Sequence, residues 1–315
     1  VPLPDYLRPS IGTAGVLGLK QVKMLVKPST AYIMVGERCE SNCLFCSQRR
    51  DGRKKDMLSR VVWPKFPSKT VISALRKSRD FSRICFQTLD YKGVVEDTIA
   101  IMGELGTEIP VSVSMVPVGE RDMERLRDEG VEYLSIALDA ANEEIFDKVK
   151  GKGVGNRFTW EGHWKALNKT VEIFGKGNTH LIVGLGERDE DLIKIMIRLK
   201  DMGVYTALFA YTPVNGGNPP DMGRYRAIQL SHSLIYRHKV REFYFENGRL
   251  KGFNAPEEVV KKASKYAFMT SGCPGCNRPF YNERPGKELY NYPYVPDEKV
   301  IKRSLETALE YLSGD

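Results

Sequence analysis

The stretch AYIMVGERCESNCLFC, residues 31–46, carries the two readings that decide the fold. Its first half, Ala31 to Gly36, is a short apolar, β-rich run closed by a glycine, the pattern of a buried strand. Its second half sets Cys39, Cys43 and Cys46 in one short loop directly after that strand. Three thiolates from one loop can wrap three corners of a cubane iron–sulfur cluster and leave the fourth iron without a protein ligand. Structural zinc normally takes four protein ligands in a tetrahedral array, which this loop alone does not offer.

Working outward, five more short apolar runs follow: 82–87 (SRICFQ), 109–116 (IPVSVSMV), 133–138 (YLSIAL), 180–185 (HLIVGL) and 205–211 (YTALFAY). Between them lie amphipathic stretches, for example 69–79 with Val71, Ile72 and Leu75, 94–105 with Val94, Val95, Ile99, Ile101, Met102 and Leu105, and 190–203 with Leu192, Ile193, Met196, Ile197 and Leu199. Alternation of this kind is the signature of βαβ units around a parallel sheet. Six repeats predict an α/β fold, a partial or complete TIM-type (β/α) barrel whose sites gather at the C-terminal ends of the strands. Cys39 then follows the first strand and Cys85 falls within or at the end of the second, so both are expected near the same mouth.

Past residue 212 the pattern loosens into a loop containing Pro213, Gly216, Gly217, Pro219 and Pro220, then a helix over about 223–238. Residues 242–253 set Asn247-Gly248 between two apolar runs, a β-hairpin signal. A final helix over about 297–313 carries Val300, Ile301, Leu305, Ala308, Leu309 and Leu312 on one face, expected to pack on the barrel exterior. The expected organisation is an N-terminal extension over 1–30, a barrel core over 31–240, and a C-terminal segment over 241–315 packed on the barrel.

With 315 residues and 42% hydrophobic content the chain can bury one full core. No run approaches the roughly 18 apolar residues of a membrane span, and the first thirty residues lack the order of a signal peptide, so a soluble cytoplasmic protein without membrane partners is expected. The sequence opens at Val1, so an initiating methionine is expected to have been removed or to lie outside it. The excess of 48 Lys+Arg over 40 Asp+Glu, +8, would draw acidic partners without marking a nucleic-acid binder. Much of the local bias sits in Arg49, Arg50, Arg53, Lys54 and Lys55, either a solvated loop or a docking patch for an acidic protein. Six cysteines are too few for a disulfide scaffold in a chain this long, and a cytosolic compartment would keep unmetallated thiols reduced.

The CX3CX2C spacing, with Phe45 before the third cysteine, resembles the radical SAM superfamily, in which S-adenosylmethionine (SAM) chelates the open iron of a [4Fe-4S] cluster. FQTLD (86–90), LSIALDAANEEIFDKV (134–149) and LIVGLGE (181–187) resemble the branch containing biotin synthase, the hydrogenase-maturase radical enzymes and lipoyl synthase, over roughly residues 31–215. The resemblance implies a SAM-binding [4Fe-4S] cluster on Cys39, Cys43 and Cys46, an electron from a low-potential donor, and a 5'-deoxyadenosyl radical that takes hydrogen from an unactivated carbon. It implies that Asp139 holds the SAM ribose, a position that an N-cap also explains. Gly184 and Gly186 would allow close backbone approach to the cofactor, though a strand-ending turn accounts for them as well.

Cys85, Cys273 and Cys276 remain. Cys273-Pro-Gly-Cys276 has metal-binding spacing but supplies two thiolates only, and a lone Cys85 reads by itself as a small buried hydrophobe. Biotin synthase supplies an auxiliary-cluster ligand from the strand position of Cys85, so the resemblance implies a second cluster on Cys85, Cys273 and Cys276, brought together by a C-terminal segment folding over the barrel mouth. Ser271, Asn277 and Arg278 are candidates for its fourth ligand, and a zinc site is the rival. Arg278, Tyr281, Asn282, Glu283 and Arg284 could tune that metal or simply pack the loop.

The split cysteine set with CPGCNRPFYNERPG (273–286) most resembles a subunit of the archaeal two-protein lipoyl synthase. It departs from biotin synthase in having no cysteine between 86 and 272, and from bacterial lipoyl synthase in having none before Cys39. The implied function is sulfur insertion at C6 or C8 of an octanoyl chain on a lipoyl carrier protein or domain, with the auxiliary cluster as sulfur donor and a second subunit as partner. The alternatives are another radical SAM reaction, such as biotin-synthase-type sulfur insertion into a small molecule, and a non-catalytic zinc or iron–sulfur binding module.

Overall fold

The computed structural model of the chain describes residues 2–52, 56–214, 216–283 and 286–314. Before the cysteine loop come β1 (Tyr6–Pro9), α1 (Ile11–Val16) and β2 (Thr30–Val35). After it come three two-residue strands, β3 (Met57–Leu58), β4 (Val61–Val62) and β5 (Phe66–Pro67), then α2 (Ser68–Lys77), β6 (Arg83–Thr88) and α3 (Val94–Leu105). The alternation continues through β7 (Val111–Met115), α4 (Glu120–Asp128), β8 (Val131–Ile136), α5 (Glu143–Val149), α6 (Trp160–Phe174), β9 (Gly177–Val183), α7 (Asp189–Asp201) and β10 (Val204–Ala210). The chain ends with α8 (Met222–His238), the hairpin β11 (Phe243–Glu246) and β12 (Arg249–Phe253), α9 (Glu257–Ala267) and α10 (Glu298–Ser313).

The main sheet runs β10-β9-β8-β7-β6-β2-β1-β5. From β2 to β10 the neighbours are parallel, and these are the six strands expected from the sequence. Each is short and apolar on the face that meets the helices: Ile84 and Phe86 in β6, Val111 and Val113 in β7, and Leu134 and Ile136 in β8 are all buried, against helix residues such as Leu75, Ile101, Leu126 and Leu167. Burying a side chain of this size contributes about 1.5–3 kcal/mol, which is why the helix stripes fix the side of the sheet they cover. Six parallel strands leave the barrel open, so the architecture is a partial TIM-type barrel.

The N-terminal 30 residues are more than an extension. β1 pairs antiparallel with β2 through Arg8–Met34 and Pro9–Ile33, and with β5 through Tyr6–Pro67 and Leu7–Phe66. β2 is therefore covered on both edges, and all six of its residues are buried.

The opposite edge, β10, is closed by the C-terminal segment. Ser271 Oγ accepts from Leu208 N (2.8 Å), and Arg278 Nη2 donates to Leu208 O (3.3 Å). The same segment crosses to β2, where Tyr32 Oη accepts from Asn277 N (3.2 Å) and Arg278 N (2.8 Å). The open seam of the barrel is thus filled by loop residues that satisfy edge groups through side chains, which an unpaired buried edge requires.

α10 packs on α8 through Ser304, Ala308 and Leu312, while Leu309, placed on the buried face by its spacing, is 42% exposed. The 16-residue helix covers only part of its apolar stripe.

Two buried histidines give the fold an acid limit. His232 in α8 donates from Nε2 to Thr206 O (2.8 Å), and burial lowers its pKa from 6.5 to about 4. His163 in α6, wedged between Phe146 and Phe158, is lowered to about 3, first by burial and then by the nearby Lys150 charge. The unfolded chain therefore takes up protons that the folded chain refuses as the pH falls below 6.5. The stability they contribute is complete above that value and is lost as the pH falls towards 4 and 3. At about 1.4 kcal/mol per pH unit, each amounts to a few kcal/mol. Urea midpoints of the metal-free protein are expected to fall steeply between pH 6.5 and 4.5, and His232→Asn to flatten that slope.

Candidate functional site

Where the six parallel strands end, a cavity of about 220 Å³ opens, lined by Cys39, Cys43, Phe45, Cys46, Asp139 and Lys150 among others. After β2, Gly36 takes φ 103°, and a Cβ there would meet the Tyr91 ring at 2.6 Å, so the turn into the cysteine loop needs a glycine. The loop is then pinned from two sides. On one, Glu40 N donates to Asp90 O (2.7 Å), Ser41 Oγ donates to the Asp90 carboxylate, and Arg157 grips that carboxylate at 2.9 and 2.5 Å. On the other, Leu44 N donates to Val149 O (2.9 Å) and Asn42 N to Asn156 Oδ1 (2.7 Å). Arg8 of β1 holds Gln48 Oε1 at 3.0 Å, anchoring the exit of the loop.

The six cysteines form no disulfide. Burial pushes the Cys46 thiol up to about 12 and raises that of Cys43 as well. Without metal both are neutral thiols, and a bound cationic centre would deprotonate them. Among the described residues no group of three His, Cys, Asp or Glu side chains converges tightly enough to hold a single metal ion. Three soft sulfur donors spread around one cavity fit the corners of a cubane, which lie farther apart than the ligands of one ion.

Asp139 sits at the end of β8 with φ 66°, held in place because its N donates to His180 O (2.8 Å) and its O accepts from Ile182 N (2.8 Å). Its Oδ2 pairs with Lys150 Nζ at 2.6 Å, both side chains under 10% exposed, and Lys150 Nζ also donates to Ala137 O. The N-cap of α5 is Asn142, whose side chain accepts from Ile145 N, so capping falls to Asn142 and the Asp139 carboxylate faces the cavity. Removing one partner of a buried pair strands the other charge and costs about 3–5 kcal/mol. K150M is expected to lower the urea stability of the metal-free protein by that amount.

The second cysteine set converges too. Cys85, Cys273 and Cys276 line a smaller cavity of about 30 Å³ with Arg83, Ser112, Ser135, Asn178 and Arg278. It lies deeper than the sequence suggests: Cys85 is mid-strand in β6, and the Cys273–Cys276 turn is tied where the strands begin. There Ser29 Oγ donates to Gly275 O (2.5 Å) and Arg83 Nε to Pro274 O (3.1 Å). The C-terminal segment therefore reaches Cys85 from the end opposite the mouth, running up the seam rather than over the top. Gln87, Ser114, His180 and Phe209 line both cavities and so lie between the two thiol sets.

Of the three candidates for a fourth ligand, only Arg278 faces the thiols. Its Nη1 donates to Cys276 Sγ (3.6 Å), and its guanidinium stacks over Phe209 at 4.1 Å. Ser271 is occupied with Leu208, and Asn277 spans Ser29 N and Lys27 O. Tyr281 and Asn282 line the upper cavity, whereas Glu283 accepts from Tyr290 N (2.7 Å) and Asn291 N (3.2 Å) and ties the loop together. Arg284, like Arg53, Lys54 and Lys55 of the basic stretch, lies outside the described residues.

Gly184 and Gly186 are not among the residues lining either cavity. Their φ values of 107° and 113° shape the turn from β9 into α7, where Glu187 accepts from Gly184 N and Leu185 N, both at 2.8 Å. Sequence reasoning missed Tyr32, whose hydroxyl lies 3.3 Å from Cys276 Sγ, and the polar anchors Asp90, Lys150, Asn156 and Arg157. Asp90 ends the quoted FQTLD run, the one signal that could have marked it.

The curated biotin synthase of Streptomyces coelicolor is 24% identical over 170 residues, 52% of this chain and 40% of the relative. That of a Sulfurihydrogenibium species is 29% identical over 96 residues, 30% of this chain and 27% of the relative. The chain thus spans less than half the length of either relative. In fold it is similar to the FeFe-hydrogenase maturase HydG from Carboxydothermus hydrogenoformans, with TM-score 0.52 and 16% identity over 74% of this chain and 56% of that one. Methylornithine synthase (PylB) gives TM-score 0.51 and 16% identity over 88% and 80%. The model of the radical SAM superfamily matches residues 33–199, more than half of the sequence. The chain belongs to the radical SAM superfamily, whose members carry a SAM-binding [4Fe-4S] cluster, and sits on its biotin-synthase-like branch.

Proposed function

We propose that this chain is a radical SAM sulfurtransferase that inserts sulfur at C6 or C8 of an octanoyl chain carried by a lipoyl carrier protein or domain. The observation that carries the reading is the placement of two thiol triads in adjoining cavities of one barrel, sharing four lining residues. Cys39, Cys43 and Cys46 would hold the SAM-binding cluster, and Cys85, Cys273 and Cys276, with Arg278 beside them, an auxiliary cluster. When bound, these groups would supply a carbon radical at the mouth and a transferable sulfide below it.

The chain's own residues then orient and exclude. Met34, Leu89, Met115, Val116, Ile182 and Phe209 give the upper cavity apolar walls suited to an aliphatic chain and to keeping water from a reactive carbon. Asp139, steadied by Lys150, would hold the SAM ribose; D139N is expected to weaken SAM binding about 10-fold or more, the worth of a hydrogen bond to a charged group. The excess positive charge of the chain suits an acidic lipoyl carrier. A low-potential electron donor and a second lipoyl synthase subunit complete the proposed system.

One observation favours a second reading. Between the triads stand Gln87, Ser114 and His180 beside Phe209, and Ser135 and Asn178 line the lower cavity, a polar set that suits a small polar substrate as in biotin-synthase-type sulfur insertion. Reconstituted protein given octanoylated carrier peptide, SAM and reductant, alone and with the partner subunit, separates the two. The octanoyl reading requires mono- or dithiolated peptide; its absence, with deoxyadenosine released only on adding a small molecule, favours the second.

A further inference from the structure

We propose that Asn156 is a hydrogen-bond donor that raises the reduction potential of the cluster on Cys39, Cys43 and Cys46, an inference that rests on the assignment of that cluster to those thiols. Asn156 lies two residues beyond the short 3-10 turn Lys152–Val154, and its amide is fully engaged. Its Oδ1 accepts from Asn42 N at 2.7 Å. Of the two amide atoms only the oxygen can accept from a backbone N–H, so the orientation of the amide is fixed. The Nδ2 atom is then left facing Lys150 O at 2.8 Å and Cys43 Sγ at 3.6 Å. Two N–H bonds meet two acceptors, and one of them is the sulfur.

A donor aimed at a cluster thiolate stabilises the more electron-rich, reduced state, and hydrogen bonds to sulfur are among the levers that set such potentials. The location of the donor adds a consequence. Asn156 belongs to the segment whose Val149 O holds Leu44 N and whose Lys150 holds Asp139. One stretch of backbone therefore sets the donor to Cys43, the register of the cysteine loop and the position of the carboxylate at the same mouth. A purely structural Asn156 would pin Asn42 and leave the electronic state of the cluster unchanged.

The test uses the full chain with Cys85, Cys273 and Cys276 replaced by alanine, so that one cluster remains after reconstitution. With asparagine carrying ¹⁵N in its side-chain amide, pulsed EPR of the reduced cluster is expected to show a weak ¹⁵N coupling that disappears in N156D, which keeps an acceptor for Asn42. N156L is expected to shift the midpoint potential to a more negative value. Absence of the coupling from the parent, its persistence in N156D, or a fully loaded N156L at the parent's potential would overturn the proposal. A parent that loads no cluster would instead overturn the assignment of the three thiols, and this inference with it.

Discussion

Cys43→Ala is expected to remove SAM cleavage entirely. The loop from Cys39 to Cys46 supplies three thiols to the upper cavity, and no further cysteine is among the described residues that line it. With two thiolates a cubane has two uncovered corners, and the loop that Asp90, Arg157 and Asn156 hold in register has nothing to close on. Deoxyadenosine formation under reductant should fall to the uncatalysed background, a loss of at least about 10⁶-fold, the lower end of enzymatic acceleration. Cys43→Ser places a harder oxygen at the same corner and should keep part of the iron while still losing most turnover. Iron, sulfide and deoxyadenosine, measured together on anaerobic protein, check this. Zinc in place of iron in the wild type would favour the non-catalytic binding module.

The second large effect separates the two triads. The Cys85→Ala, Cys273→Ala, Cys276→Ala variant is expected to fall from about eight irons per chain to about four, because each cubane contributes four. Its upper cavity is intact, so reductive SAM cleavage should persist while thiolated product disappears. The turn that carries the lower triad is tied by Arg83, which bridges Pro274 O, Ser112 Oγ (2.9 Å) and Glu132 (2.7 Å), and by the Tyr32 hydroxyl, which accepts from Asn277 N and Arg278 N. These contacts are independent of the mouth, so the barrel should survive the loss of the thiols. If all iron disappears with the triple substitution, the two sites do not load separately. If none disappears, the lower triad holds no cluster.

The parts of this architecture that follow a period were legible in the sequence, and the parts that depend on a single long-range contact were not. The six parallel strands announce themselves because each is an apolar run between amphipathic stretches. The first thiol set is readable because it is local. β1 is invisible to such reasoning: Tyr6–Pro9 is four residues ended by a proline, and only its pairing with β2 makes it a strand. The convergence of Cys85 with Cys273 and Cys276 was accessible only through resemblance, since no spacing links positions so far apart. Even that placed them at the wrong end of the barrel, because the path of the segment is set by Tyr32, Leu208 and Ser29, none of which looks unusual in sequence. Gly184 and Gly186 were ambiguous for a physical reason: positive φ at a strand end serves a turn and a cofactor approach equally well.

The polar anchors share one explanation. Asp90, Lys150, Asn156 and Arg157 act on residues up to 114 positions away, and charged or amide side chains in loops carry no periodic signal. Their common effect is to make the cysteine loop and the Asp139 carboxylate parts of one rigid mouth, which a reaction through a short-lived radical needs.

The proposed chemistry requires the upper triad to leave one iron open to SAM. EPR of the reduced, reconstituted protein, recorded with and without SAM, measures this directly. A cluster signal whose g values shift when SAM is added is the expected result; a reduced cluster whose spectrum is indifferent to SAM would contradict it.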